Sequence, residues 1–147
     1  MLEQSWAATL EHVSALPPGT VDVSVDGEWS FAQTLRHLVF AIDKWLPRGA
    51  LQSGQDAHPL GLNHAAVDVG PPPPYEEVLV ASADRRAQVR AFLAAATPAL
   101  LDEEHPSPND PTMTETARQC VQVILKEGWE HLRFATRDLD ALEAGRV

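Results

Sequence analysis

Hydrophobic residues recur at the three- and four-residue spacing of an amphipathic helix in four segments of the chain. The first segment runs from about Leu2 to Leu16 and ends before Pro17-Pro18-Gly19. The second begins at Ser30, because Ser30 and Gln33 have the spacing of a capping box, and Pro47 with Gly49 is expected to end it. The apolar positions of these two helices are Leu2, Trp6, Leu10, Val13, Phe31, Leu35, Leu38, Ile42, Trp45 and Leu46.

The second half of the chain contains the other two predicted helices. The third follows the Pro71–Pro74 run, has acidic residues in its first turn, and continues to Thr97-Pro98. The fourth is expected to open near Asp110-Pro111, with Asp as the cap and Pro at the first helical position, and to end before Gly145. Thr20 to Val25 alternates like a short strand, but a single strand has no partner to pair with.

The link between the second and third helices is long. It runs from Pro47 to Pro74, whereas adjacent antiparallel helices need only about 2–8 linking residues. A link of this length is typical of a crossover that lets the two helices run parallel. The pattern therefore predicts an all-α fold, a four-helix bundle with a long crossover between helices 2 and 3, formed by residues 1–147 as a single domain.

Composition and charge exclude several classes of protein. The chain has 147 residues, of which 44% are hydrophobic and 22% charged, as in a folded globular domain. Its net charge of −10 argues against binding to nucleic acid or to an anionic membrane surface. No segment resembles a membrane span or a signal peptide, and the single cysteine, Cys120, cannot form an internal disulfide. We expect a cytoplasmic protein.

Glu127 and His131 are the first candidates for chemistry. Their four-residue spacing stacks the two side chains on one face of the last helix. A carboxylate and an imidazole so placed can bind one divalent metal, with a third ligand from a facing helix and open positions for water. The alternative is that Glu127 and His131 form an ordinary side-chain pair, which is the commoner occurrence of this spacing.

Periodicity alone does not select a third ligand. His37 lies about 120° around the helix from Phe31, on the flank of the apolar stripe. Cys120 is about 10 Å below Glu127 along the helix, too far to ligate the same ion, and is expected to be a buried small hydrophobe. The other four histidines are expected to be ordinary solvated residues: His12, His58, His64 and His105.

Two stretches resemble motifs of the DinB-like (DinB/YfiT) superfamily. The segment Thr34-Leu35-Arg36-His37-Leu38-Val39-Phe40-Ala41, preceded by Glu28-Trp29-Ser30-Phe31, resembles that family's second-helix motif. The segment Lys126-Glu127-Gly128-Trp129-Glu130-His131-Leu132-Arg133 resembles the last-helix motif of one branch. The resemblance implies a four-helix bundle with a long connection between helices 2 and 3. It relates the chain to the N-terminal domain of mycothiol-dependent maleylpyruvate isomerases.

The resemblance also implies a metal site. The family holds one divalent metal, zinc or nickel, with a histidine of helix 2 and two ligands four residues apart on the last helix. Most members have His-x-x-x-His there, and the mycothiol-dependent isomerases have Glu-x-x-x-His, the form present in this chain. The implied metal ligands are thus His37, Glu127 and His131.

Two departures bear on this assignment. Ala135 stands four residues after His131, so His-x-x-x-His is absent, and the usual His-His-Arg of this branch reads His131-Leu132-Arg133. If the motif is aligned so that the second ligand falls at Leu132, the metal site is incomplete, because leucine cannot bind a metal. We favour the alignment at Glu127 and His131, because both of these positions carry a side chain that can bind a metal.

The implied chemistry follows from the charge of the ion. A divalent metal activates a water or a low-molecular-weight thiol such as mycothiol, so the resemblance implies a thiol-dependent S-transferase or isomerase, or a hydrolase, with a small-molecule substrate. Glu130 or Asp43 are candidates to orient a ligand histidine, unless both are simply solvated. One alternative is a metal-free bundle that acts as a binding or dimerisation module, for which a homodimer is expected. Another is a protein that sequesters a small ligand without catalysis.

Overall fold

The four predicted helices are present in a computed structural model that describes residues 1–65, 68 and 70–145. Helix α1 spans Leu2–Ser14, α2 spans Phe31–Asp43, α3 spans Tyr75–Ala95, the single turn α4 spans Pro98–Leu101, and α5 spans Ala117–Glu143. A two-stranded antiparallel sheet, β1 (Glu104–Pro106) and β2 (Thr114–Thr116), lies between α4 and α5. The chain is therefore predominantly helical, and the all-α prediction is confirmed. Within the described residues, none of the helices is long and apolar enough to cross a membrane.

Local signals set the start of α2 as predicted. The hydroxyl oxygen of Ser30 accepts a hydrogen bond from the backbone N–H of Gln33 at 3.2 Å. The side chain of Gln33 in turn accepts one from the backbone N–H of Ser30 at 2.9 Å. This reciprocal capping box satisfies two amide donors that have no partner within the helix.

The predicted end of α2 at Pro47 is wrong. After Asp43 the chain continues as a π-helical segment, Lys44–Leu51, with the buried Pro47 inside it. Proline lacks an N–H and clashes with the carbonyl one α-helical turn before it, and the wider π turn accommodates both defects. The carbonyl of Pro47 then accepts a hydrogen bond from the backbone N–H of Ser53 at 2.8 Å.

The predicted start of the last helix near Asp110-Pro111 is also wrong. A carboxylate oxygen of Asp110 accepts hydrogen bonds from the backbone N–H and the hydroxyl of Thr112, which closes a turn instead of capping a helix. The chain then pairs as β2 with β1, and α5 begins only after Thr116, which forms a capping box with Gln119. The region Thr20 to Val25, considered as a strand, contains a 3₁₀ turn at Thr20–Asp22.

The core consists of two clusters of buried side chains. One joins α2, its π-helical extension, α3 and the first half of α5, and includes Ile42, Leu46, Phe92 and Ile124. The other joins α1, the start of α2, the start of α3 and the second half of α5; it includes Trp6, Leu35, Val78 and Leu132. Along α5, Glu127 and His131 fall between Ile124 of one cluster and Leu132 of the other, so both packed regions fix their position.

Cys120 belongs to the first cluster, as expected of a small buried hydrophobe. Its side chain is 1% exposed, and burial raises the pKa of its thiol to about 11. Gly49 of the π-helical segment packs directly against it, since a Cβ at Gly49 would lie 2.9 Å from the sulfur. The close approach of the Gly49 backbone to the Cys120 side chain requires the absence of a side chain at position 49.

Candidate metal centre

Three potential metal ligands converge between α2 and α5. One ligand atom from each of His37, Glu127 and His131 lies within 4.8 Å of the other two. The Nε2 of His37 and the Nδ1 of His131 are each 3.3 Å from the same carboxylate oxygen, Oε2 of Glu127. Two ligands bound about 2.1 Å from one tetrahedral ion are roughly 3.4 Å apart, so the His37–Glu127 separation has the scale of a shared metal.

The protonation of His37 is set by the chain segment after α2. Its Nδ1 lies 3.0 Å from the backbone carbonyl of Leu62 and is buried. A carbonyl can only accept, so Nδ1 carries the proton, and in the neutral ring Nε2 has a lone pair facing the carboxylate of Glu127. Two lone pairs at this distance repel unless a cation lies between them, whether a proton or a metal ion.

His131 is oriented in the same way. Its Nδ1–H donates to the backbone carbonyl of Glu127 at 2.9 Å, which leaves the lone pair of the neutral ring on Nε2. The two imidazole rings lie 4.8 Å apart between centroids. Backbone carbonyls are common partners of metal-binding histidines, because they fix the tautomer and the ring orientation.

Electrostatics favour the charged form of Glu127. When a proton lies between the two groups, the hydrogen bond that His37 donates lowers the pKa of this carboxyl, and positive charge on His131, His37 and His64 lowers it further, against the opposing effect of burial. Glu127 is therefore an anion at neutral pH and supplies the negative charge that a divalent ion requires.

A segment of the long crossover, residues 58–65, lies on α2 and positions the carbonyl of Leu62. The backbone N–H of Leu62 donates to the carbonyl of Arg36 at 3.1 Å, and the Nε–H of Arg36 donates to the carbonyl of Leu60 at 2.9 Å. Arg36 also pairs with Asp68 at 2.9 Å. A Cβ at Gly61 would lie 3.4 Å from the Cα of Phe40, so this segment runs in direct contact with the helix.

Aromatic side chains surround the two histidines. The ring of Trp29 lies 4.7 Å from that of His37, and the ring of Phe134 lies 5.8 Å from that of His131. An open cleft of about 340 Å³ adjoins His131 and is lined by Gly27, Glu28, Trp29, Thr34, Phe134 and Asp138. At this cleft Arg137 forms ion pairs with Glu28 and Asp138. Of the three candidate ligands, His131 thus borders a partly aromatic opening to solvent.

The structure places the other predicted residues differently. Asp43 is buried and accepts hydrogen bonds from Arg85 at 2.7 Å and from the backbone N–H of His58 at 2.8 Å, so it does not orient a ligand histidine. Glu130 faces Lys126 at 4.0 Å. Leu132 occupies the position of the second His in the usual His-His-Arg motif. Its side chain is buried in the core, so this position points away from the candidate metal centre.

Sequence reasoning missed the surroundings of three histidines outside the helices. His64 is exposed as expected, but its ring lies 6.1 Å from that of His37, so it adds a third imidazole beside the site. His58 is half-buried, and its Nδ1 accepts a hydrogen bond from the backbone N–H of Leu60 at 3.0 Å. His105 is half-buried in β1. No periodic pattern marks loop residues, so only tertiary contacts reveal these roles.

Fold and site together define a helical protein with a candidate centre for one divalent metal. The sequence model of the DinB superfamily matches residues 1–135, so the chain belongs to the DinB superfamily. No curated protein and no solved structure matches the chain. The family therefore accounts for the fold, and the geometry of the donors carries the functional argument.

Proposed function

We propose that this DinB-superfamily protein is a metal-dependent enzyme in which His37, Glu127 and His131 hold one divalent ion, zinc or nickel. The single observation that carries the proposal is the 3.3 Å separation of His37 Nε2 and Glu127 Oε2, combined with an Nδ1 proton already donated to Leu62. Two imidazole nitrogens and one carboxylate oxygen are a donor set that suits these metals and leaves positions open.

When bound, such an ion lowers the pKa of a coordinated water or low-molecular-weight thiol, such as mycothiol, and so supplies a nucleophile near neutral pH. The chain's own residues have distinct tasks. Leu62 and the backbone of Glu127 hold the protons of the two histidines on Nδ1, and ionised Glu127 provides the compensating charge. The cleft beside His131, with Trp29 and Phe134, admits a small-molecule substrate.

Two reaction classes are compatible with this arrangement: thiol-dependent S-transfer or isomerisation, and hydrolysis. They differ in the nucleophile, so they are separated by whether turnover of an electrophilic substrate requires an added thiol. The alternative function is a metal-free bundle that acts as a binding or dimerisation module. It predicts the same folding and self-association in the presence of a chelator.

Elemental analysis of the purified full chain tests the proposal. After reconstitution with zinc or nickel we expect about one ion per chain, and loss of that ion in His37→Ala and in His131→Ala. Glu127→Gln, which removes the charge and keeps the size, should weaken binding. The matched control is His12→Ala, since His12 is exposed on α1 and pairs only with Glu143 among the described residues. Absence of metal after reconstitution of the wild type, in a folded sample, would overturn the proposal.

A further inference from the structure

A second cavity lies inside the bundle, away from the candidate metal centre. It measures about 200 Å³, is bordered by α1, α2, α3 and α5, and is lined mainly by apolar side chains, among them Trp6, Leu10, Leu38, Val39 and Ile124. None of its lining residues belongs to the cleft beside His131 or to the three candidate ligands. An apolar cavity of roughly 150 Å³ is enough to hold a benzene ring, so this one accommodates a short hydrocarbon group.

The cavity opens to solvent on one side. Leu93 and Leu125 both line it, and they are 45% and 37% exposed. Charged residues stand in the same lining: Glu3 on α1, and Arg86 and Arg90 on α3. The cavity is thus mainly apolar, and three of the residues that line it are charged.

Within the part of the chain that the structure describes, Arg86 has no ion-pair partner in the cavity lining. It is half-buried, and among the described residues no carboxylate lies within ion-pair distance of its guanidinium. Its Nε–H makes a long contact, 3.4 Å, with the carbonyl of Ser82 on its own helix. Burial lowers the pKa of Arg86, which is the effect of removing a guanidinium from water without full compensation.

Glu3 does not neutralise both arginines. Its carboxylate accepts from the Nε–H of Arg90 at 2.8 Å and also bonds Nη2 of the same side chain. The residues that line the cavity include two arginines and one glutamate, so their formal charge is positive, whereas the whole chain has a net charge of −10; the side chains of Arg90 and Glu3 extend into solvent. An apolar chamber with one unpaired cation is complementary to an amphipathic anion.

We propose that this cavity binds a medium-chain aliphatic carboxylate, with the hydrocarbon chain among the apolar side chains and the carboxylate paired with Arg86. The planar guanidinium offers several donors in a geometry that suits a carboxylate. The hydrophobic effect supplies most of the affinity, and the ion pair selects the anion over the alcohol of the same length.

The test uses octanoate as the probe, titrated into the full chain in a chelating buffer so that the candidate metal centre does not contribute. We expect saturable binding by calorimetry. We also expect a shift of the Trp6 indole N–H resonance in NMR, because this group lines the cavity and donates to the carbonyl of Gly128 at 3.1 Å. Octanol should bind too, since it presents the same chain.

Two charge variants separate the proposal from non-specific partitioning. Arg86→Gln should weaken octanoate binding about tenfold and leave octanol binding unchanged. Glu3→Gln should tighten octanoate binding, because it removes the competing carboxylate and leaves Arg90 available. The matched control is Arg48→Gln, an exposed arginine outside the cavity lining, which should change neither ligand.

Three results would overturn the proposal. The first is no binding of octanoate by folded wild type, and the second is equal octanoate affinity in wild type and Arg86→Gln. The third is a dimer that excludes octanoate and dissociates in Leu125→Glu, which would show that a second copy of the chain covers the opening.

Discussion

The imidazole of His37 donates its Nδ1–H to the backbone carbonyl of Leu62 at 3.0 Å, across 25 positions of sequence. Through this bond the segment after α2 decides which nitrogen of His37 faces Glu127. The candidate metal centre is therefore built by three parts of the chain, of which the third contributes only a carbonyl.

Arg36 should act on metal affinity without contacting a metal. Its bonds to the carbonyl of Leu60 and to Asp68 hold the crossover segment on α2. We expect Arg36→Gln to reduce zinc affinity roughly tenfold, because loss of partners that orient a ligand typically costs 10–100-fold. Competition with a chromogenic chelator measures it. Arg118→Gln, which removes an exposed pair with Asp102, is the control, and an equal loss in both variants would contradict the prediction.

Asp43 should matter for stability and not for the metal. It is 3% exposed and holds both Arg85 and the backbone N–H of His58. Asp43→Ala removes one carboxylate from a buried pair, although Asp84 still pairs with Arg85, so we expect a loss of about 2–3 kcal/mol in the free energy of unfolding. Urea denaturation measures it, with Asp102→Ala as the exposed control. A large loss of zinc affinity in folded Asp43→Ala would show that Asp43 does orient a ligand.

Gly49→Ala should destabilise the protein through Cys120. The added Cβ would lie 2.9 Å from the sulfur and 3.2 Å from Cγ of Pro108. Overpacking of this kind costs about 1–3 kcal/mol. Replacing Cys120 by Ala in the same chain should recover part of that cost, because it removes the nearer obstacle. Strictly additive effects of the two substitutions in thermal unfolding would mean that the contact is not the cause.

Cys120 should resist alkylation in the folded protein. Burial raises the pKa of its thiol to about 11, and only the thiolate reacts with iodoacetamide. At pH 8 the native chain should react far more slowly than the chain in denaturant, where the thiol has its ordinary pKa of roughly 8.5. Because the folded pKa is the higher one, the thiol's contribution to stability is constant below the ordinary pKa and is lost as the pH rises toward about 11. Mass spectrometry of the alkylated chain checks the rate, and rapid native labelling at pH 8 would contradict it.

Thr116→Ala should cost about 1 kcal/mol of stability, since it removes the hydroxyl that accepts from the backbone N–H of Gln119 at 3.1 Å. Thr114→Ala, two residues earlier in β2 and exposed, should change stability little. An equal loss of stability in Thr116→Ala and Thr114→Ala would contradict the assignment of Thr116 as the cap of α5.

The sequence predicts those elements of the fold whose signals lie within a few residues of the element itself. Helices α1, α2 and α5 follow from apolar periodicity, and the start of α2 follows from Ser30 and Gln33, because caps and stripes act within a few residues. Helix α5 starts later than the local pattern predicts. Thr114–Thr116 pair with Glu104–Pro106 in a sheet, so Thr114–Thr116 are not part of the helix. The residues around Asp110-Pro111 contain no local pattern that indicates this partner strand.

In the candidate metal centre, too, some features follow from the local sequence and others only from tertiary contacts. By itself the sequence determined that Glu127 and His131 share one helix face, because helical geometry fixes side chains four residues apart. Periodicity placed His37 on the flank of its helix, and its implied role came from family resemblance. Only the tertiary structure brought His37 within 3.3 Å of Glu127 and placed the carbonyl of Leu62 behind it. Those relations depend on how α2, α5 and the crossover segment pack together, and packing between elements distant in the chain is not encoded in any local pattern.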